Sequence, residues 1–94
     1  MSSDLRHVAG MRYRLVTRSS RPGWAVEEHV SSVVLSREEA QASLEVEADL
    51  MQRAGWEVER VATAAGILRV VTASKGARSR TIRALAFTPM EDLP

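Results

Sequence analysis

Residues 36–62 read SREEAQASLEVEADLMQRAGWEVERVA, and the spacing of apolar side chains within them changes from helical to alternating at one glycine. Ser36-Arg37-Glu38-Glu39 is a capping box: the serine hydroxyl and the glutamate carboxylate each take a backbone N–H that the first helical turn leaves unpaired. Acids in that turn also suit the positive end of the helix dipole. Helix formers run on to Ala54, and Gly55 is the residue type that ends helices in a left-handed conformation. Beyond it Trp56, Val58, Arg60 and Ala62 alternate with Glu57, Glu59 and Val61. A period of two is that of a strand.

Outward from this stretch the same reading continues. Upstream, Met11, Tyr13 and Leu15 alternate with Arg12 and Arg14, and Arg18 keeps the arginine parity, which predicts a strand over Met11–Arg18. Ser19-Ser20-Arg21-Pro22-Gly23 is a turn by composition, and a second strand is expected over Trp24–Val30. Downstream, Ala64-Ala65-Gly66 predicts a turn, Ile67–Ala73 a strand, Lys75-Gly76 a hairpin tip and Thr81–Phe87 a last strand that Pro89 ends. The order is β-β-α-β-β-β. It defines an α+β fold: a single small domain, with an antiparallel sheet of four to five strands and one helix packed on one face. Residues 1–10 are expected to form a flexible N-terminal arm, 11–88 the domain and 89–94 a frayed tail.

The chain has 94 residues, 45% of them hydrophobic and 27% charged, a composition that argues against wholesale disorder. Its aromatic side chains are Tyr13, Trp24, Trp56 and Phe87 alone, so the core is thin and a dimer that shares one is expected. Trp24 and Trp56 are expected to supply the bulk that an Ala/Val core lacks. With no cysteine, disulfides and thiolate metal sites are excluded. No apolar run reaches the roughly 18 residues of a membrane span, and Met1–Gly10 lacks the apolar segment of a secretory signal. A cytoplasmic location is expected.

A net charge of +1 conceals three blocks. Leu5–Trp24 holds five arginines and no acid, Ala25–Glu59 nine acids against Arg37 and Arg53, and Arg60–Thr88 six bases and no acid. If the basic blocks fold together, the molecule has a positive and a negative side. Arg12, Arg14 and Arg18 share one parity, and Arg69 and Arg83 interrupt apolar strands, so all five are expected on one sheet face, extended by Lys75, Arg78 and Arg80 of the hairpin. Arginines on such a grid clamp phosphates and stack on bases. No aromatic clearly shares this face, however, and the stacking platform of single-strand binders is missing. A solvated or intersubunit face is the preferred reading.

On the helix Ala40, Leu44, Ala48, Leu50, Met51 and Ala54 cover one broad arc, and Glu47 falls inside it. An unpaired buried carboxylate costs several kcal/mol or protonates, so Glu47 is expected to pair with Arg60, or to mark a seam that leaves Val46 and Leu50 for a second chain. His29 beside Glu27 and Glu28, and Ser74 beside Lys75, lack the spacing and burial of metal or nucleophile sites. There is no phosphate-loop motif. No catalytic residue, metal ligand or cofactor is assigned.

Three functions follow. The leading one is a small non-enzymatic binding or regulatory protein, a homodimer acting by protein–protein contact through Val46, Leu50 and the acidic side chains Glu38, Glu45 and Asp49. The second is a nucleic-acid-binding module using Arg12, Arg14, Arg18, Arg69, Lys75, Arg78, Arg80 and Arg83. The third is a small dimeric enzyme or ligand binder with Glu47 in a pocket.

Overall fold

The computed structural model describes residues 12–62 and 68–87; the N-terminal arm, the Ala64–Gly66 turn and the C-terminal tail of the sequence reading lie outside them. The elements are β1 (Arg12–Ser20), β2 (Glu27–Val30), α1 (Arg37–Arg53), β3 (Glu57–Ala62), β4 (Arg69–Lys75) and β5 (Arg78–Phe87). They form one five-stranded antiparallel sheet in the order β2-β1-β5-β4-β3 with the helix across one face, the expected α+β architecture.

The helix ends are built as their sequence requires. The Glu39 backbone N–H donates to Ser36 Oγ at 3.1 Å, and the Ser36 N–H donates to Glu39 Oε1 at 2.9 Å. At the other end Trp56 N–H donates to the Met51 carbonyl and Gly55 N–H to that of Gln52. These are the two bonds of a Schellman motif, which places Gly55 at φ +94°. Lys75 Nζ donates to the Ala54 carbonyl at 2.7 Å and takes up one of the remaining free acceptors. Paired bonds between Tyr13 and Leu35 tie the entry of the helix to the start of β1.

Ala40, Leu44, Ala48 and Met51 form the buried ridge of α1. They join Tyr13, Leu68, Val71, Ala73 and Ile82 in one cluster, with Leu15, Leu35, Trp56, Val58 and Ala84 packed around it. Leu50 and Ala54, expected in the same arc, are exposed; the small residues Ala40 and Ala48 let the helix sit close to the sheet and narrow the face it covers. β2 is shorter than expected, four exposed residues at the sheet edge, so Trp24 and Val26 precede it and Trp24 stays 63% exposed. It adds nothing to the core, whereas Trp56 does. Conversely β5 starts three residues earlier than expected, because the Gly76-Ala77 turn pairs Lys75 directly with Arg78. No described helix is long and apolar enough to cross a membrane.

Candidate functional surfaces

The register of the sheet decides where each arginine goes. Tyr13, Leu15 and Thr17 of β1 and Ile82 and Ala84 of β5 lie beneath the helix. Arg12, Arg14, Val16 and Arg18, with Ser79, Thr81, Arg83, Leu85 and Phe87, therefore point from the opposite face, uncovered in that no described element packs on it. Of the eight basic residues expected there, Arg12, Arg14, Arg18 and Arg83 are on it.

Arg69, Lys75, Arg78 and Arg80 are not. They have the parity of Val71, Ala73 and Ile82 and belong to the helix-bearing face. Arg69 Nη1 lies 3.8 Å from Glu45 Oε2, Lys75 caps the helix, and the Arg80 guanidinium lies over Trp56 at 5.1 Å. The helix acids thus sit among bases, and the three charge blocks do not become a positive and a negative side. The acidic patch read from Glu38, Glu45 and Asp49 is correspondingly reduced: Glu45 Oε1 accepts from Arg60 Nε at 2.8 Å and Asp49 bonds Arg53 at 3.1 Å, leaving Glu38 exposed in the first turn.

Glu47 is half-buried and makes no ion pair among the described residues. Its expected partner Arg60 is taken by Glu45, which faces the β3 side of the helix, and Gln52 accepts a further bond from Arg60 at 3.5 Å. None of the three described pockets includes Glu47 in its lining. Val46 and Leu50, one turn apart, are 55% and 53% exposed. His29 and Glu27 project from the helix side of β2 and Glu28 from the other; among the described residues no group of three or more potential ligands is placed to hold a metal.

The uncovered face is an ordered grid. One row crosses all five strands as Glu28, Arg18, Thr81, Thr72 and Glu59. The row beside it begins Val30, Val16, Arg83 and ends Val70, Val61, and on the other side Ser20, Ser79, Ser74 and Glu57 make a third. Charge is sorted along the rows, with arginine on β1 and β5, hydroxyls on β5 and β4, and Glu57 and Glu59 on β3. Val30, Val61 and Leu85 are each more than two-fifths exposed on this face, while Val16 is buried. An aromatic does share it: Phe87 lies opposite Arg12, and the Arg14 guanidinium stands 5.1 Å from its ring centroid. Its proximity was hidden in the sequence by the long separation of β1 and β5. Comparison with known proteins returns no matching family model, no similar curated protein and no similar solved structure.

Proposed function

We propose that this chain is a non-enzymatic, cytoplasmic binding protein that acts through protein–protein contact as a homodimer, its two copies joined by their uncovered sheet faces. The observation that carries this is the charge order of that face. A two-fold axis parallel to the strands, passing between β5 and β4, reverses the β1-β5-β4-β3 part of each row onto itself and leaves β2 outside the overlap. Arg18 then faces Glu59 of the second copy, Thr81 faces Thr72, and Val16 faces Val61. Stacked sheets stand about 10 Å apart, within reach of opposed Arg and Glu side chains. The four opposed strands span at most roughly 19 by 30 Å, under about 600 Å², below the ~800 Å² per partner of a standard interface. Arg18 becomes an intersubunit ligand, and Val61, otherwise exposed, is covered. Val46 and Leu50 remain outward on the helix for a further protein partner.

Light scattering over a range of concentrations tests the reading. The parent should run as a dimer, Arg18→Glu and Glu59→Arg alone should run as monomers, and the double variant, which restores both pairs reversed, should recover the dimer. A parent that stays monomeric at high concentration, or single variants that stay dimeric, would refute it.

One observation favours a second reading, contact with single-stranded nucleic acid. Phe87 and Arg14 form a stacked pair on the face, and Arg14, Arg18 and Arg83 have no carboxylate partner among the described residues. Oligonucleotide anisotropy separates the two: binding whose log K falls with log salt by several units, and which Arg18→Glu abolishes in a monomeric parent, replaces the dimer with this function.

A further inference from the structure

At the end of the sheet distant from the start of β1, a pocket of about 200 Å³ is lined by Arg21, Arg78 and Arg80 together with Ser19, Ser20 and Ser79, of which Ser19, Arg78 and Arg80 belong to the helix-bearing face. We propose that it binds the phosphate group of a small phosphate monoester, a ligand of sugar-phosphate size. The site does not rest on the dimer.

Its construction starts from two turns. Trp24 N–H donates to the Arg21 carbonyl at 3.2 Å, with Pro22 and Gly23 between them and Gly23 at φ +78°. Pro followed by a left-handed Gly is the sequence of a type II turn, and it folds Trp24 back toward Arg21, whose guanidinium lies 3.7 Å from the indole centroid. The Schellman motif after α1 delivers Trp56 in the same way, and Arg80 lies over that ring at 5.1 Å. Two of the three arginines are therefore held by indoles and not by carboxylates. A stacked guanidinium keeps its N–H donors in its own plane, clear of the ring and preset for a tetrahedral oxyanion.

The donors are also unspent. Arg21, Arg78 and Arg80 make no ion pair among the described residues, and Arg80 Nε is buried without a hydrogen-bond partner. A buried guanidinium N–H left unpaired is costly and calls for an acceptor. Glu27 is the one acid in the lining, so the pocket keeps an excess of two positive charges, the match for a phosphate dianion. Drug-sized ligands occupy roughly 300–1,000 Å³; a volume of about 200 Å³ suits a phosphate with a small appendage.

The chain's two tryptophans both touch this cluster, which makes its fluorescence the readout. Titration with inorganic phosphate and with ribose 5-phosphate, against potassium chloride at matched ionic strength, should give a saturable change with the phosphates only. Equal affinities would assign the site to phosphate itself, and tighter ribose 5-phosphate to the ester. Arg78→Gln, at an exposed position, should weaken binding about tenfold or more, whereas Glu27→Gln should tighten it. Far-UV circular dichroism confirms that both variants fold. No saturation beyond the chloride control, or two folded variants that bind as the parent does, would overturn the proposal.

Discussion

Leu44→Ala tests how the helix holds the sheet. Leu44 is 1% exposed and is, with Val71 and Ile82, one of the three largest fully buried side chains. On its own ridge the residues one turn away are Ala40 and Ala48, so Leu44 and Met51 carry nearly all the helix's bulk into the core. Removing three methylene-sized groups forfeits about 2.4 kcal/mol of transfer free energy. A cavity term is added, because alanine neighbours have no side chain to swing into the gap and Val71 and Ile82 are fixed on the inner strands β4 and β5. The expected loss is about 4 kcal/mol, in the upper half of the range for such substitutions. A domain of this size holds about 5–14 kcal/mol in all, so the variant should be marginal. Urea unfolding at fixed protein concentration measures it as a shift in midpoint with unchanged slope; concentration is fixed because a dimer gains stability by mass action. A loss below about 1.5 kcal/mol with the slope preserved would refute the packing argument.

Two further outcomes follow from the helix ends. Ser36→Ala removes the acceptor for the Glu39 N–H and should cost about 1 kcal/mol, read as a lower urea midpoint that Ser36→Asp largely restores. Gly55→Ala should cost about 1–2 kcal/mol from its left-handed backbone alone, since the new methyl would meet Lys75 Nζ at an ordinary 3.6 Å; equal stability of parent and variant in the same assay would refute that strain.

How much of this was legible in the chain depends on how local each signal is. The capping box and the Gly55 stop involve neighbours in sequence, and both are where the residues put them. The parity of β1 was readable because Tyr13 and Leu15 stand against Arg12 and Arg14. Entering β4, the run Leu68-Arg69-Val70-Val71-Thr72-Ala73 has apolar residues at both parities, so nothing local tells that Arg69 lies on the helix side. Glu47 is nearer the centre of the buried arc than Glu45, yet Arg60 pairs with Glu45 because β3 is the edge strand on that flank, a fact of strand order. Trp24 looked like a core residue until the Pro22-Gly23 turn shortened β2.

The two proposed surfaces share this dependence on register. Arg18 and Arg83 project from one face and Arg80 from the other only because Ser19 pairs with Arg80 and Val16 with Arg83. A slip of β5 by one residue would move Arg83 under the helix, expose Ile82, and send Arg80 away from Trp56. Burial of Ile82 beneath the helix opposes that slip, and the tight Gly76-Ala77 turn fixes β5 against β4. Arg80 and Arg83 are therefore sorted by the buried Ile82 between them, so that a substitution there that shifts the register of β5 would disturb the proposed dimer face and the proposed phosphate pocket together.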